Sequence, residues 1–513
     1  MPTQAGDAGE PDAESPAVRA PSQAEVHGGV AVGDAPAAAG EAPPAPVDDG
    51  ANQDTLGWRL RRRLASWVSR PRAPLVLLGI VVALGVGARV FHLDIPAERT
   101  AGEGFVFDEK YYVNAARVIA GVPMHSSDTY ANASPTGTDP NGEHPQLGKV
   151  IIGASIRLLG DNATGWRISA VIFSVVSLLL LYWLMRVLGC SSWLALGATS
   201  IAAFENLWLV SGRIAVLDIY CVPFMLAGVG LYLRRRPVLA GVLIGIGTCI
   251  KEFALYAVFA IVLLELMRLA RRLIVERNTG THLDGAAIWR RVRTPVALIG
   301  VSLVVFVSLL AVLDKTVTPY HDGHPVDRGQ ARICNSLGPW SGACNHIAFM
   351  DDYAAKLRSP AGPQGIASYP WQFWGDVEPI DYYTVRTTVS VDHNVTAVNT
   401  VLSYKGMIDP VVLVTAWIAI LATLVWAVRR RDDVSFLVLA WIIATWLPAE
   451  LSSLLGQRTT YLYYMVVTMP ALYIAVARLL GRRWMPRWLI GVWVGVFLAS
   501  FAVLYPFRTL SGT

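Results

Sequence analysis

Charged residues are scarce in this sequence. Only 16% of its 513 residues are Asp, Glu, Lys or Arg, whereas 54% are hydrophobic. A soluble protein carries charge at about a quarter of its positions. Many of the apolar residues form runs of about 20, the length that a helix needs to cross a bilayer core of roughly 30 Å. The scarcity of charge therefore excludes a soluble globular protein, and the runs predict a membrane-embedded, multi-pass protein.

Cysteine is also rare, with five in the chain. Three lie in or beside apolar runs: Cys190, Cys221 and Cys249. Cys334 and Cys344 lie in a polar loop with Gly and Pro between them, so we expect a disulfide, which persists only in an oxidising compartment. A metal site formed by this pair with His346 is the weaker alternative. No His, Asp and Glu cluster with ligand spacing is apparent, so no metal site is predicted.

Residues 1–55 almost lack large apolar side chains and are rich in Ala, Pro, Gly, Asp and Glu. Such a segment cannot bury enough apolar surface to offset the entropy lost on ordering. We therefore expect it to form a disordered tail. No apolar segment begins near Met1, so we do not expect a signal peptide.

Eleven apolar runs predict eleven transmembrane helices. They cover residues 75–92, 166–186, 192–209, 215–233, 238–250, 254–274, 294–313, 408–428, 434–449, 461–480 and 487–505. Arginine clusters flank these runs on one side of the membrane, which marks the cytoplasmic connections. The N-terminus is therefore expected inside and the C-terminus outside. The net charge of +5 then reflects topology, and no nucleic-acid partner is expected.

Two long polar loops fall on the predicted outer side, residues 93–165 and 314–407. Charge at membrane depth costs about 2.5–3.5 kcal/mol per residue on insertion scales, so charged residues at this edge are candidate functional groups. They are Asp108, Glu109, Lys149, Glu205, Arg213, Asp218, Lys251, Glu252 and Arg458.

Each candidate also has a structural alternative. Asp108 and Glu109 could be a solvated pair or the acidic first turn of a helix. Lys149, in an expected interfacial helix, could snorkel to the surface. Arg213 and Asp218 could form an ion pair at a helix junction, with a break expected near Ser211–Gly212. Together, however, these carboxylates and cations suit a substrate with a phosphate leaving group, because a carboxylate takes a proton and cations stabilise the departing charge.

Four segments, in order, resemble the protein O-mannosyltransferases. They are FDEKYY at 107–112, HPQLGK at 144–149, ENLWLVSGRIAVLD at 205–218 and GIGTCIKEF at 245–253. A further segment, QRTTYLYYMVVTMPALY at 457–473, is similar to the same family. This chain has Glu205 where an Asp is usual and Gln146 where a second Pro is usual.

The resemblance implies a GT-C fold and an enzyme that depends on a polyprenyl- or dolichyl-phosphate-mannose donor. It implies inverting transfer of mannose to Ser or Thr hydroxyls of exported proteins on the extracytoplasmic face. Asp108 would be the general base, and Glu109 would orient acceptor or donor. The donor phosphate and sugar would be held by a set of residues that we expect to include His144, Lys149, Arg213, Asp218, Lys251 and Arg458.

The resemblance also divides the chain into parts. Residues 1–55 would be a cytoplasmic tail, 56–313 a catalytic transmembrane module, 314–407 an outer loop and 408–513 the last transmembrane helices. The outer loop is too short for the β-trefoil domain of eukaryotic members, which favours the bacterial branch and a plasma-membrane location. Secreted or membrane proteins would be acceptors, in association with an export channel, and a divalent cation bridging the donor phosphate to an acidic residue remains open.

Two other functions compete with these expectations, and one aromatic segment has two interpretations. A related GT-C enzyme could transfer aminoarabinose, arabinose or mannose from a lipid phosphate to a lipid or cell-wall glycan. A secondary transporter would also carry intramembrane charges, but no repeat between halves is apparent and the charges lie at the outer edge. The Trp- and Tyr-rich segment 368–385 predicts either an interfacial aromatic belt with a helix edge or a platform for acceptor peptide or sugar.

Overall fold

The computed structural model describes residues 66, 70–97, 104–279, 285–391 and 394–506. The predicted disordered tail, residues 1–55, lies outside them. Within the described residues the chain is mainly helical, as the predicted membrane fold requires.

Ten of the described helices precede or cross into the second outer loop. They are α1 (Ala73–Val90), α2 (Glu109–Ala120), α3 (Leu147–Leu159), α4 (Ala163–Val187), α5 (Ser192–Phe204), α6 (Asn206–Ser211), α7 (Leu217–Leu233), α8 (Pro237–Thr248), α9 (Tyr256–Thr279) and α10 (Gly285–Thr316). The remaining described α-helices and strands are β1 (Tyr320–His321), β2 (His324–Pro325), α11 (Ser341–Lys356), β3 (Ile380–Val391), β4 (Asn394–Gly406), α12 (Pro410–Arg429), α13 (Asp433–Gly456), α14 (Met469–Leu480) and α15 (Arg487–Leu504).

Each of the eleven predicted spans contains an apolar helix. Among the described residues, seven helices are long and apolar enough to cross a membrane. They are Ala73–Val90, Ala163–Val187, Glu252–Thr279, Val292–Thr316, Pro410–Arg429, Asp433–Gly456 and Arg487–Leu504. Four shorter apolar helices, α5, α7, α8 and α14, occupy the other predicted positions, so the count of eleven spans stays a prediction.

Two predicted spans are interrupted. The run 192–209 breaks at Glu205, whose backbone is extended and whose carboxylate accepts hydrogen bonds from the backbone N–H groups of Leu207 and Trp208. This cap ends α5 and starts α6, as expected for an acidic residue at a helix N-terminus. The run 461–480 is α-helical only from Met469, because a 3₁₀ stretch, Leu462–Val467, precedes it. The expected break after Ser211 is present, since α7 begins at Leu217.

The glycine-rich α8 packs closely against α10. A Cβ at Gly241 would lie 2.9 Å from the carbonyl oxygen of Leu298, and one at Gly245 would lie 2.8 Å from that of Ser302. Small residues permit this backbone approach between membrane helices. The short helix therefore holds the turn that follows it, residues 249–255, in a fixed position.

The second outer loop contains structure that the sequence did not predict. Strands β3 and β4 pair antiparallel as one long hairpin that starts with Ile380 opposite Gly406 and contains three register shifts. Cys334 and Cys344, which we expected to form a disulfide, are joined by one with a Cα–Cα distance of 5.3 Å. The bridge ties the segment before α11 to that helix.

Candidate active site

A cavity of about 1210 Å³ opens between segments from both outer loops and the ends of several membrane helices. Its walls are strongly aromatic. Ten tyrosines line it: Tyr111, Tyr112, Tyr130, Tyr256, Tyr320, Tyr353, Tyr382, Tyr461, Tyr463 and Tyr464. A pocket of this size accommodates a ligand larger than a single sugar, since sites for drug-sized ligands measure about 300–1,000 Å³.

Asp108 lies on the cavity wall at the start of α2. It is half-buried, and its carboxylate makes no capping hydrogen bond to the helix that it precedes. Burial raises the pKa of Asp108 to about 6, against the opposing effects of the Lys251 and His144 charges. A carboxylate with a pKa near working pH is suited to general base catalysis.

Lys251 faces the same cavity from the turn between α8 and α9. Its Nζ lies 2.7 Å from Oδ2 of Asp218, and 4.7 Å and 5.3 Å from the ring centres of Phe253 and Tyr463. Asp218 is buried at the start of α7 behind Lys251, and it is not part of the cavity lining. The pair therefore presents a fixed ammonium group to the cavity, with Asp218 as its anchor.

His144 and Glu252 form a second pair on the wall. Nδ1 of His144 lies 3.3 Å from Oε2 of Glu252, and both residues line the cavity. The sequence identified Glu252 with Lys251 as a membrane-edge charge, but Glu252 was not assigned to the catalytic or donor-binding set.

Arg458 lines the cavity from the segment before α14. Its Nη1 donates to the carbonyl oxygen of Ala354, and it has no ion pair with a carboxylate among the described residues. Arg458 is therefore a cation whose charge is not neutralised by a neighbouring side chain. Lys110, another cavity residue that the prediction omitted, is exposed and lies over the ring of Tyr111.

Glu109 does not line the cavity, although it is adjacent to Asp108. It is fully buried and forms a two-pronged ion pair with Arg167, with Nε–Oε1 and Nη2–Oε2 distances of 2.9 and 2.8 Å. Its carboxylate also accepts from the backbone N–H groups of Val106 and Ala215. The Glu109 carboxylate is therefore engaged by contacts within the protein, and these contacts fix the backbone that carries Asp108.

Lys149 and Arg213 are likewise buried away from the cavity lining. Lys149 contacts a carboxylate oxygen of Asp139 and the carbonyl oxygens of Asn141 and His144. A lysine has three N–H groups, and these contacts use them.

Arg213 binds the C-terminal end of α1. Its guanidinium donates to the carbonyl oxygens of Ala88, Phe91 and His92 and to the hydroxyl of Tyr505. These contacts connect the turn after α6 to the end of α15. The structure thus brings together Asp108, His144, Lys251 and Arg458 from the predicted set, with Asp218 directly behind them.

The aromatic segment 368–385 contributes little to the cavity lining, to which it supplies Tyr382. Trp374 accepts a hydrogen bond from Trp417, and Pro370 accepts one from Trp446, both at backbone carbonyl oxygens. The segment therefore packs on α12 and α13. In the part of the chain that the structure describes, no group of three or more His, Cys, Asp or Glu residues could hold a metal ion.

Comparison with known proteins shows which family this chain resembles. The family model described as dolichyl-phosphate-mannose-protein mannosyltransferase matches residues 79–316. A polyprenol-phosphate-mannose–protein mannosyltransferase of Mycolicibacterium smegmatis is 23% identical, over 84% of this chain and 89% of the relative. The corresponding protein of Mycobacterium tuberculosis is 22% identical, over 87% and 89%.

A solved structure supports the fold. The S. cerevisiae protein O-mannosyltransferase complex bound to the sugar donor superimposes with a TM-score of 0.60 at 12% identity, over 84% of this chain and 89% of that chain. The similarity extends beyond the family-model match into the C-terminal helices. This chain therefore has the GT-C fold of a multi-pass membrane protein, and over residues 79–316 it is similar to the dolichyl-phosphate-mannose-protein mannosyltransferases.

Proposed function

We propose that the protein transfers mannose from polyprenyl-phosphate-mannose to Ser or Thr hydroxyls of secreted or membrane proteins. The observation that carries this proposal is the position of the Asp108 carboxylate on the wall of a large aromatic cavity. Lys251 and Arg458 line the same cavity. The names of the mycobacterial relatives support the same donor and acceptor class. Transfer to a lipid or cell-wall glycan is not favoured by those relatives.

Asp108 acts as the general base in a single displacement. It takes the proton of the acceptor hydroxyl while that oxygen attacks the anomeric carbon of mannose. The bond from this carbon to the phosphate oxygen breaks, and its electron pair remains on the lipid phosphate. One displacement inverts the anomeric carbon without a covalent intermediate, and Asp108 returns its proton to solvent. At pH 7 a carboxyl with a pKa of about 6 is mostly ionised, as a base must be.

Lys251 and Arg458 hold the phosphate. Both line the cavity, and a cation fixed before the reaction begins stabilises the charge that develops on the leaving group. Asp218 keeps Lys251 in position, and the ion pair of His144 with Glu252 completes this wall. Lys149 and Arg213, which the sequence predicted as phosphate ligands, act in this proposal through the backbone segments that they bind.

Glu109 acts as a positioning residue in this proposal. Its buried ion pair with Arg167 joins the start of α2 to α4, and its bond from Ala215 joins it to the turn before α7. Removing one partner of a buried pair leaves an uncompensated charge, which costs about 3–5 kcal/mol. The start of α2, and with it Asp108, is therefore held by a rigid anchor.

The apolar part of the cavity suits the carrier lipid. Tyr256 and Phe259 of α9, Phe306 of α10, and Pro448 and Ala449 of α13 line it. All three helices are candidate membrane spans. A prenyl chain can therefore remain among membrane helices while its phosphate reaches the charged wall.

We further propose a bacterial plasma-membrane location with the cavity on the outer face, the N-terminus inside and the C-terminus outside. The disulfide between Cys334 and Cys344 supports this orientation, because disulfides persist on the oxidising side of a membrane. An outer cavity would meet acceptors as they leave an export channel, which is the partner that we propose.

The test supplies radiolabelled polyprenyl-phosphate-mannose and a peptide containing Ser and Thr to membranes that contain the protein. We expect label in the peptide with the wild type and a loss of about 10²- to 10⁴-fold with Asp108→Asn. Label that enters a lipid or glycan fraction instead would contradict the proposed acceptor. The same assay in EDTA tests for a bridging divalent cation: we expect transfer to persist because protein cations hold the phosphate, whereas loss that Mg²⁺ restores would assign that role to a metal.

A further inference from the structure

His346 of α11 is fully buried and contacts two hydrogen-bond acceptors. Its Nδ1 lies 2.8 Å from Oδ1 of Asp314, at the end of α10. Its Nε2 lies 2.8 Å from the carbonyl oxygen of Gly142, in the first outer loop. One imidazole ring therefore joins three separate parts of the chain.

The partners fix the role of the ring. A carbonyl oxygen only accepts, so Nε2 of His346 donates to Gly142. Oδ1 of Asp314 also accepts from Nε2 of Gln146, at 2.6 Å, which is the role of a carboxylate. Nδ1 of His346 shares a second hydrogen bond with Oδ1 of Asp314, so both ring nitrogens are bound within the protein.

The bond to Gly142 holds a stretch of chain that lines the cavity. Asn141, Glu143 and His144 are all cavity residues, whereas Gly142 between them turns its carbonyl oxygen to His346. A Cβ at Gly142 would lie 3.1 Å from the carbonyl oxygen of Tyr320, so the loop is pressed against the second outer loop at this point.

The same stretch is held from its other side by α3. Lys149 donates to the carbonyl oxygen of His144 at 2.9 Å and pairs with Asp139. Lys149 thus binds both ends of the short segment 141–144, at Asn141 and His144, and His346 binds Gly142 between them. The position of the His144 ring, 3.3 Å from Glu252, depends on both.

The disulfide strengthens the hold of His346 on this segment. Cys344 is two residues before His346 and is bonded to Cys334, which fixes the first turn of α11. Asn345, between them, accepts from the backbone N–H of Ala331 and donates to Asn335. The turn that carries His346 is therefore attached to the preceding loop by a covalent bond and two hydrogen bonds.

We propose that His346 is a positioning residue that holds segment 141–144, and through it the His144–Glu252 pair, in the geometry that receives the donor. This inference rests on the proposed mannosyl transfer for its kinetic consequence. It assigns to the second outer loop a specific task in forming a site whose other residues lie mainly elsewhere in the chain.

The test compares full-length wild type, His346→Ala, His144→Ala and the double variant, all reconstituted in membranes. We expect His346→Ala to raise the KM for polyprenyl-phosphate-mannose by roughly 10- to 100-fold, because small displacements of positioned groups have effects of this size. Adding His346→Ala to His144→Ala should cause little further loss, since both act through one ring. His324→Ala, an exposed histidine of β2, is the matched control and should resemble the wild type.

Hydrogen exchange of peptides that cover residues 139–149 gives a readout that needs no substrate. We expect faster exchange there in His346→Ala, with partial recovery in His346→Gln, whose amide also donates hydrogen bonds. The proposal would be overturned if His346→Ala left both the exchange rates and the donor KM unchanged. It would also be overturned if the separate effects of His346→Ala and His144→Ala multiplied in the double variant. A wild type that transfers no mannose would defeat the proposed function, and the exchange measurement would still decide whether His346 holds the segment.

Discussion

Adjacent residues take opposite roles at the start of α2. Asp108 faces the cavity with a free carboxylate, whereas Glu109 is buried in an ion pair with Arg167. The sequence identified both as membrane-edge acids, but it could not separate them. The direction of a side chain at a helix start depends on which buried partner it meets, and Arg167 was not recognised because it lies inside an apolar run.

The predicted cations also divide into buried residues and residues that line the cavity. Composition and topology identified Lys149, Arg213, Lys251 and Arg458 as charges at the outer edge. The first two are bound by carbonyl, carboxylate and hydroxyl groups of the protein, and the other two reach the cavity. These contacts depend on loop conformation, which a residue pattern does not specify.

This separation predicts the effect of Arg458→Gln. Losing a hydrogen bond to a charged group costs about 1.5–3 kcal/mol, so we expect the donor KM to rise by about 10- to 100-fold. The matched control is Arg358→Gln, because Arg358 is exposed and its backbone pairs with that of Arg458. Steady-state kinetics with varied donor concentration provide the measurement. Equal donor KM values in the two variants would show that Arg458 does not hold the phosphate.

At the scale of elements, apolar runs predicted the helices well and their interruptions poorly. Every predicted span contains a helix, because about 20 apolar residues have few alternatives in a membrane. The break at Glu205 was missed because the run around it stays apolar, and the break depends on a single capping carboxylate.

The hairpin β3–β4 was missed although the sequence carries a signal for it. Residues 382–404 are rich in Tyr, Thr and Val, which favour strands. The aromatic residues that precede it drew the interpretation towards a membrane belt or substrate platform. The stretch has strand propensity, but its aromatic residues are also typical of a membrane interface. It forms strands because its two halves hydrogen-bond to each other.

At the scale of the whole molecule, the cavity is formed by segments that are far apart in sequence. Residues 105–112, 251–259 and 458–464 each supply part of its wall. Backbone bridges from Arg358 to Arg458 and from Ala367 to Tyr461 attach the second outer loop to the last of these segments. Family resemblance could indicate which segments matter, but their convergence follows from packing of the helices between them.

The proposed orientation of the molecule predicts how its cysteines react in intact cells. We expect a membrane-impermeant reductant followed by an impermeant maleimide to label Cys334 and Cys344. The free cysteines Cys190, Cys221 and Cys249 are buried, so background labelling should be low. A Cys334→Ser/Cys344→Ser variant is the control. Labelling that requires permeabilised membranes would contradict an outer location of the disulfide and the neighbouring cavity.

The most direct test of the central claim, that Asp108 is the general base, is the pH dependence of kcat/KM for mannosyl transfer. The base must be ionised, and burial raises the pKa of Asp108 to about 6, so kcat/KM should fall as pH decreases through 6 and level off above 7. Asp108→Asn should lose this limb together with most of the activity. A wild-type profile that is flat between pH 5 and 7, or an Asp108→Asn variant that keeps the same limb, would contradict the account.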